Sequence, residues 1–333
     1  MRALVTGGCG FIGSCLSKKL IDAGWEVEIA DDMSNGDYAF LEGYQFRSVP
    51  MQLGHIFEQQ RLAIKNPREI IVLTGDFIHH EVIRRIVDKQ YDVIFHCAAN
   101  PRVEYSIQNP VETTNENFMK TIQLFTHSIG NVKRIVFSSS CSVYGDPWNL
   151  PTLEDHGKNP NSPYALQKQC VEEYARLYSK AYSLDIACLR YFNVYGPNQY
   201  GDSPYSTAIV SWCDKIKKGL SLRSDGDGTQ TRDMVFVEDV ADANILAANR
   251  EENFCGACFN VGTGKAYSNN EILAIFKEKF INIEIVNAPI RAGDVKHTLA
   301  STRKAELELD FTPKHSLQEG LDKTFSWWKF DEK

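Results

Sequence analysis

The sequence predicts an α/β protein in which helices cover both faces of a doubly wound parallel sheet, joined to a smaller mixed α/β domain near the C-terminus. Two observations predict this class. Short, uniformly apolar segments alternate with amphipathic segments up to about residue 261, and a glycine-rich turn joins the first apolar segment to the first amphipathic one. Strands that are apolar on both sides are typical of a parallel sheet covered on both faces.

The apolar segments are the candidate strands. They lie at residues 3–5, 27–30, 70–73, 93–97, 134–138, 186–191, 234–237 and 258–261. Helices are predicted between them, because apolar residues recur there at helical spacing: Ile12, Leu16, Leu20 and Ala23; Val82, Ile83, Ile86 and Val87; Val171, Tyr174, Ala175 and Tyr178. The long interval from 46 to 66 carries no functional prediction.

The glycine-rich turn has the pattern of a dinucleotide-binding loop. Gly7, Gly10 and Gly13 suit a tight turn, close approach of a pyrophosphate to the backbone, and close packing of helix on strand. The N-terminus of the helix then directs N–H groups at the phosphates. The second strand ends in Asp31-Asp32. In dinucleotide-binding folds, an acidic residue at this position binds the hydroxyls of the adenosine ribose. The order of strand, loop, helix, strand and acid predicts a dinucleotide site.

The composition of the chain changes after about residue 194, where Gly, Pro, Asn and Asp cluster at 195–204 and again at 224–233. We therefore expect a nucleotide-binding domain at 1–193 plus 233–263, and a substrate domain at 194–232 and 264–333. The strands at 234–237 and 258–261 are expected to return to the main sheet. Ligands of such folds bind beyond the carboxyl ends of the strands, so the second domain should cap that edge.

Charge and composition exclude several classes of partner. A net charge of −7 over 333 residues lacks the excess of positive charge that is typical of proteins that bind nucleic acid or an anionic membrane. No apolar run approaches a membrane span and the chain enters a strand at once, so we expect a cytoplasmic protein without a signal peptide. Nine cysteines suit a reducing compartment. The single CxxC pair, Cys255 and Cys258, has no second pair at zinc-site spacing, so no metal is expected.

A candidate catalytic group follows the fifth apolar segment. Tyr164 and Lys168 are four residues apart and share a helix face, so the ammonium can favour the phenolate of the tyrosine. Ser140, at the end of the preceding strand, can share a substrate proton. The three side chains can accept the proton of an alcohol while a nicotinamide accepts its hydride. A tyrosine and a lysine four residues apart are common in helices. In this chain the pair follows a dinucleotide-binding loop, and this position favours a catalytic role.

The ordered series of motifs resembles the extended short-chain dehydrogenases/reductases, specifically the nucleotide-sugar epimerase/dehydratase branch with its Rossmann-type nucleotide domain. The resemblance spans nearly the whole chain. Its motifs are the turn at 6–13, Asp31, Gly75-Asp76, the segment 96–99, the set Ser140, Tyr164 and Lys168, the segments 189–193, 226–233 and 260–264, and Arg291-Ala292-Gly293-Asp294.

The resemblance implies roles for individual residues and implies NAD as the cofactor. The residues that it implies for NAD binding are Gly7, Gly10, Phe11, Ile12, Gly13, Asp31, Asp76, Phe77, Ala98, Ala99, Asn117, Ser138, Tyr164, Lys168 and Tyr191. It implies that Tyr164 is the acid/base, assisted by Ser140 and Lys168. Substrate contacts are implied for Ser140, Tyr164, Asn193, Arg232, Arg291 and Asp294, the last four toward the nucleotide diphosphate. A structural alternative for Arg232 is an ion pair with Asp233 or Asp239, while His96 and Arg190 are expected to be structural.

Cys141 and Ser142 indicate which reaction of the branch is catalysed. In the resembling dehydratases an Asp-Glu pair stands at these two positions, whereas this chain has no ionisable acid there. The resemblance therefore favours an NAD-dependent 4-epimerase acting on a nucleotide hexose, with UDP as the expected nucleotide. The alternatives left open are a 4,6-dehydratase, a decarboxylase, a reductase, or a non-catalytic NAD sensor on the same fold. The sugar is not identified.

The resemblance also implies a homodimer, formed by a four-helix bundle of the helices near 113–129 and 164–182. Three positions depart from the pattern of the branch. His79 replaces an acid often found three residues after Asp76, Lys120 stands where glycine is common, and Ser301 stands where an aspartate usually precedes Lys304-Ala305. Of these, Lys120 is expected to affect helix packing near the cofactor.

Overall fold

The computed structural model describes residues 1–51, 66, 68–201, 207–289 and 295–330. Its strands are β1 Arg2–Thr6, β2 Glu26–Asp31, β3 Phe46–Pro50, β4 Ile70–Thr74, β5 Val93–His96, β6 Arg134–Ser140, β7 Ile186–Tyr191, β8 Asn193–Tyr195, β9 Leu222–Asp225, β10 Thr231–Phe236, β11 Cys258–Val261, β12 Ala266–Ser268 and β13 Ile285–Ala288. Its helices are α1 Phe11–Asp22, α2 His80–Val87, α3 Val103–Gln108, α4 Pro110–Thr114, α5 Lys120–Ser128, α6 Pro163–Tyr182, α7 Ala208–Lys217, α8 Val237–Asn249, α9 Asn269–Lys279, α10 Arg303–Leu309 and α11 Leu317–Trp327.

Eight strands form the main sheet in the order β11-β7-β6-β5-β1-β2-β4-β3. Every neighbouring pair in this sheet is parallel. The predicted doubly wound parallel sheet is therefore confirmed. Because all strands run the same way, their carboxyl ends meet at one edge, which brings Thr6, Asp31, His96, Ser140 and Tyr191 to the same side of the molecule.

Apolar cores lie on both faces of the main sheet, as the uniformly apolar strands predict. On one face, α1, α8 and α10 bury residues such as Leu16, Val240 and Leu309 against the strands. On the other face, α2, α5 and α6 bury residues such as Ile86 and Phe125. The helix α6, which carries Tyr164 and Lys168, is thus fixed to β6 and β7 along its length.

A third core belongs to the smaller C-terminal part of the chain. It surrounds a three-stranded sheet, β12-β10-β8, and a two-stranded sheet, β13-β9. Its large buried side chains are Trp212, Phe236, Phe276 and Phe325, which pack mainly edge to face. This core places β8 and β10 next to the carboxyl ends of the main sheet.

One strand prediction was wrong. The segment at 234–237 does not return to the main sheet, because β10 pairs with β8 on one side and β12 on the other. Its apolar residues Met234 and Phe236 are buried in the third core instead, and apolar character alone does not tell which core a strand joins. The segment at 258–261 does join the main sheet, where β11 pairs with β7. The proposed domain boundaries remain a prediction.

The strand β3, Phe46–Pro50, was not predicted, and it forms the edge of the main sheet beside β4. Residues 52–65 of the interval that carried no prediction lie outside the described residues. In the described ranges, no helix is both long and apolar enough to cross a membrane. Within the same ranges, no group of three or more His, Cys, Asp and Glu residues is arranged to hold a metal ion.

Candidate active site

The glycine-rich turn is a tight connection from β1 to α1 that requires glycine at two positions. Gly7 has a φ of +68°, and a Cβ added there would lie 2.8 Å from the Cα and N of Ala98. A Cβ on Gly13 would lie 2.1 Å from the carbonyl oxygen of Gly7. Gly10 is the N-cap residue of α1 and has no side chain above the helix terminus. The first N–H groups of α1, at Phe11 and Ile12, therefore face a surface that a phosphate can approach.

Asp31 closes this turn from the neighbouring strand. Its carboxylate accepts hydrogen bonds from the N–H of Cys9 at 2.8 Å and the N–H of Met33 at 2.9 Å. Burial raises the pKa of Asp31, and the two backbone donors oppose that rise. An arginine also reaches this region from the loop after β5, since Arg102 donates to the side chain of Asn35 at 3.1 Å. This contact could not be predicted from the sequence, because the two residues are 67 positions apart.

The predicted adenine pocket, at Asp76 and Phe77, is braced by the lysine that departs from the family pattern. The ammonium of Lys120 lies 2.6 Å from the carboxylate of Asp76 and also contacts Glu116 one turn earlier. The other carboxylate oxygen of Asp76 accepts from the N–H of Ile78 at 3.1 Å. Phe77 is buried against the ring of His96. Lys120 therefore fixes Asp76 to the helix α5.

The loop after β5, which carries Ala98 and Ala99, lies at the same edge. The N–H of Ala98 donates to the hydroxyl of Thr6 at 3.3 Å, so the loop lies against the end of β1. Asn117 is buried and holds this loop from behind: its side chain accepts from the N–H of Asn100 at 2.7 Å and donates to Gln167 of α6 at 2.8 Å. Asn117 thus joins the loop to α6, and its predicted contact with the cofactor remains a prediction.

His96 is a neutral, buried residue. Its ring nitrogens are hydrogen-bonded to the hydroxyls of Thr6 at 2.7 Å and Thr121 at 2.9 Å. Burial, reinforced by the charge of Lys168, lowers the pKa of His96 to about 3. The structural role expected for His96 agrees with these contacts.

The three candidate catalytic residues converge at the carboxyl end of β6. Tyr164 and Lys168 project from the first turns of α6, which begins with the N-cap Ser162 followed by Pro163. The Lys168 ammonium donates to the carbonyl of Ser138 at 2.7 Å and lies 5.8 Å from the centre of the Tyr164 ring. Ser140, the last residue of β6, is hydrogen-bonded to Tyr164. The structure therefore brings together the phenol, the hydroxyl and the ammonium that the spacing predicted.

Burial controls the protonation of this group. It raises the pKa of Tyr164 to about 12, although the hydrogen bond with Ser140 opposes the rise. Burial lowers the pKa of Lys168 to about 8. Ser138 and Tyr191 stand next to the group, with their hydroxyls 3.0 Å apart. A phenol beside an ammonium and a serine is suited to exchange a proton with a sugar hydroxyl.

Cys141 and Ser142 follow Ser140 in a 3₁₀ turn, Cys141–Tyr144. Burial raises the pKa of Cys141 to about 12, and the charge of Arg232 opposes the rise. The thiol therefore stays neutral near pH 7. The hydroxyl of Ser142 is buried with no hydrogen-bond partner among the described residues. Neither side chain supplies an ionised acid or base.

Of the residues predicted to contact the nucleotide part of the substrate, the structure describes Asn193 and Arg232. The Asn193 side chain donates to the carbonyl of Asp233 at 3.2 Å and to the hydroxyl of Thr298 at 3.0 Å. Arg232 donates to the carbonyls of Thr231 at 3.0 Å and Lys296 at 3.2 Å, and its charge acts on Cys141 across the cleft. Arg291 and Asp294 lie outside the described residues.

Asp233 is a buried residue at the site that the sequence indicated only as an alternative ion-pair partner of Arg232. Its carboxylate accepts from the N–H and hydroxyl of Thr263, both at 2.7 Å, and from the N–H groups of Gly264 and Ala300, both at 3.0 Å. Asp239, the other acid considered as a partner of Arg232, is bound at 2.8 Å by His315. Asp233 therefore joins β10 to the turn after β11 and to the segment at Ala300, and it fixes the backbone next to Arg232.

Comparisons with known proteins show which family the chain is similar to. A family model described as "NAD dependent epimerase/dehydratase family" matches residues 3–262. A relative described as a putative UDP-glucose 4-epimerase of Methanocaldococcus jannaschii is 36% identical over 331 residues, which cover 98% of each chain. Structures of two proteins superpose over nearly the full length, each with a TM-score of 0.86. One is a UDP-N-acetylglucosamine 4-epimerase from Methanobrevibacter ruminantium in complex with UDP-N-acetylmuramic acid, 32% identical, covering 99% of this chain and 98% of that one. The other is a UDP-glucose 4-epimerase from Thermotoga maritima with UDP-glucose, 31% identical, covering 100% of both.

A protein of different activity shares the fold. An NAD-dependent NDP-hexosamine 5,6-dehydratase of tunicamycin biosynthesis is 26% identical, with a TM-score of 0.82 and coverage of 98% of this chain and 97% of that one. The choice between epimerisation and dehydration therefore depends on individual side chains of the site.

Proposed function

The chain belongs to the NAD dependent epimerase/dehydratase family, and from this premise we infer that it inverts C4 of a nucleotide hexose. It is an NAD-dependent nucleotide-sugar 4-epimerase, and the relatives that support this activity act on UDP-sugars. UDP is accordingly the proposed nucleotide. The enzyme would serve carbohydrate metabolism by interconverting nucleotide sugars.

The nature of positions 141 and 142 is the observation that carries the choice of epimerisation. Dehydration needs a group to protonate the departing hydroxyl and a second group to remove a carbon-bound proton. Cys141 is a neutral thiol and Ser142 a neutral hydroxyl, so the turn after Ser140 supplies neither group. Epimerisation requires a single acid/base, which Tyr164 provides.

The residues around the glycine turn fit NAD. Gly7, Gly10 and Gly13 leave room for a pyrophosphate at the N-terminus of α1, and Asp31 lies at the end of β2, where it can accept from ribose hydroxyls. Asp76 with Phe77 would hold the adenine, and Lys168 would hold the nicotinamide ribose. Bound at this site, NAD would supply the acceptor for the C4 hydride and, in the same cycle, its donor.

In the proposed mechanism, the phenolate form of Tyr164 accepts the proton of the C4 hydroxyl, and the hydroxyl of Ser140, which is hydrogen-bonded to Tyr164, assists the transfer. The Lys168 ammonium stabilises the phenolate and so lowers the barrier to proton removal. Arg232 and Arg291, together with Asn193, hold the nucleotide diphosphate and Asp294 accepts from the ribose hydroxyls, while the 4-keto sugar turns within the cleft. Bonds from arginine to the diphosphate do not depend on which face of the sugar is presented. Tyr164 then returns its proton after hydride transfer to the opposite face.

Proton NMR of the purified protein incubated with UDP-glucose, UDP-N-acetylglucosamine and UDP-glucuronate tests the proposed function. At least one of these should yield its C4 epimer. Formation of a stable 4-keto-6-deoxy sugar would establish the dehydratase alternative, and release of carbon dioxide from UDP-glucuronate would establish the decarboxylase. No conversion of a wider panel of UDP-, GDP-, CDP- and dTDP-sugars would favour an NAD-binding sensor.

We further propose that the enzyme is a homodimer formed through α6 and the helices α4 and α5. Large apolar side chains along these helices are exposed, including Val111, Met119, Leu166 and Leu177. A second copy that presents the same face would cover them in a four-helix bundle. Because all nine cysteines are free thiols, a reducing compartment such as the cytoplasm is the proposed location.

Light scattering at micromolar concentration tests this assembly. The wild-type protein should have twice the mass of the chain, and Leu177→Glu should be a monomer. Leu307→Glu is the matched control, because Leu307 is also exposed but lies on α10, away from the proposed interface. A monomeric wild-type protein would contradict the proposal.

A further inference from the structure

Glu172 lies one helical turn after Lys168 on α6 and is buried. Its carboxylate receives two parallel hydrogen bonds from Arg190 of β7, at 2.8 and 2.9 Å. It also accepts from the hydroxyl of Ser139 at 2.6 Å and from the ammonium of Lys158 at 3.2 Å. We call these four residues the Glu172 cluster.

Arg190 extends the Glu172 cluster to two further elements. It donates to the hydroxyl of Tyr144 at 2.6 Å and to the carbonyl of Glu154 at 2.9 Å. Tyr144 in turn donates to the side chain of Asn260 on β11 at 2.6 Å. The cluster therefore joins the helix α6 to β6, β7, β11 and the 3₁₀ turn that follows Ser140.

Three residues in this set of contacts are close in sequence to members of the catalytic group. Ser139 is the residue before Ser140, Tyr144 ends the turn that begins after Ser140, and Glu172 follows Lys168 by four residues. A bidentate ion pair has a fixed geometry, and in a buried site its members cannot exchange for water. The pair of Glu172 and Arg190 thus sets the distance between the end of β6 and the first turns of α6.

We propose that Glu172, fixed by Arg190, is a positioning residue that holds the Lys168 ammonium and the Ser140 hydroxyl toward Tyr164. The proposal rests on the catalytic roles given above to Tyr164 and Lys168. It assigns a function to Arg190, which from the sequence was expected to be structural.

The charge of Glu172 also acts on Lys168. The titratable and charged groups that face Lys168 are Tyr164 and Glu172 on its own helix, His96 and Cys97 at the end of β5, and Cys188 on β7. Burial raises the pKa of Cys97 to about 11, and a hydrogen bond with Cys258 together with burial holds the pKa of Cys188 far above its usual range, while His96 is neutral near pH 8. Glu172 is negatively charged throughout the range in which Lys168 titrates, whereas Tyr164 is negative only as the phenolate that accepts the substrate proton, so Glu172 favours the ammonium in every state of the site.

The test is the pH dependence of kcat for full-length, NAD-saturated variants. Glu172→Gln removes the negative charge, so the alkaline limb of the profile should move to lower pH by about one unit. Arg190→Met removes the positive charge that pairs with Glu172, so the negative charge of Glu172 acts more strongly on Lys168. The alkaline limb should therefore move to higher pH, by a smaller amount. The double variant should restore the position of the limb but keep a kcat at least about tenfold below wild type, since the positioning is lost. Arg190→Lys should recover part of that loss.

Glu173→Gln is the matched control, because Glu173 is the adjacent carboxylate but points to the surface, where it pairs with Lys158 and Arg176. The alkaline limb of the pH profile of Glu173→Gln should not move. Unshifted limbs in both Glu172→Gln and Arg190→Met, with only a lower melting temperature, would overturn the proposal. If the single variants do not fold, the double variant decides, because replacing both members of a buried pair is often tolerated. A kcat within threefold of wild type would then overturn it.

Failure of the proposed function gives a different result. In that case the wild-type protein itself would form no C4 epimer from any sugar of the NMR panel, whatever the Glu172 variants do. A Lys168→Met variant that is inactive but still binds NAD, combined with unshifted Glu172 and Arg190 limbs, would refute the positioning role alone.

Discussion

Replacing Gly13 by alanine should weaken NAD binding, because the structure has no space for a side chain there. The added Cβ would lie 2.1 Å from the carbonyl oxygen of Gly7 and 2.8 Å from the Cα of Gly8. Ordinary contacts of this kind exceed 3.0 Å, so the turn must retreat by roughly 1 Å. Gly7 has no room to yield, because it already packs against the backbone of Ala98.

The size of the effect follows from that forced displacement. Overpacking of a rigid site costs about 1–3 kcal/mol, which in binding corresponds to roughly a five- to 150-fold increase in Kd. Calorimetric titration of the nucleotide-free protein with NAD measures this change directly. Gly157→Ala is the control, because a Cβ at Gly157 meets no atom within 4 Å, so its NAD affinity should be that of the wild type. Wild-type NAD affinity in Gly13→Ala would refute the assignment of this turn to the pyrophosphate.

Three further predictions concern the same site. Tyr164→Phe should bind NAD normally but lower kcat by about 10²-fold or more, since a positioned acid/base is lost; full activity would remove Tyr164 from the mechanism. Activity should fall as the pH rises past about 8, because the Lys168 ammonium is present below its lowered pKa of about 8 and is lost above it; a kcat profile that is flat to pH 9.5 would contradict this. NADP should bind at least about tenfold more weakly than NAD, because Asp31 and Asp32 repel a 2′-phosphate; equal affinities by calorimetry would show that Arg102, near Asn35, offsets the two carboxylates.

The elements that the sequence predicted best are those whose pattern is local. Uniformly apolar segments identified the central strands, because such strands are covered on both faces. The edge strand Phe46–Pro50 was missed because its residues alternate between half-buried and exposed positions and include Arg47 and Ser48. The strand at 234–237 was recognised as a strand but assigned to the wrong sheet, because pairing partners are set by contacts far along the chain.

The residues of the site also divide into those predicted from local spacing and those that depend on contacts far along the chain. Tyr164 and Lys168 were predictable as a pair because residues four apart share a helix face, and the placement of Ser140 followed from the end of its strand. The Glu172 cluster was not predicted, because Arg190 meets Glu172 only when β7 packs against α6. The position of Glu172 could have been used, because it follows Lys168 by four residues and therefore lies on the same face of the helix as Tyr164 and Lys168. The brace from Lys120 to Asp76 depends on tertiary packing in the same way.

The most direct test of the account uses a UDP-hexose that is epimerised in the NMR panel, labelled with deuterium at C4. The account predicts that the C4 epimer retains the deuterium at C4, because the hydride that is removed is returned within the same active site. The unlabelled substrate in D₂O should gain no deuterium at C4 or C5. Loss of the C4 label to solvent, or incorporation of solvent deuterium at C5, would contradict oxidation and reduction at C4 as the reaction of this enzyme.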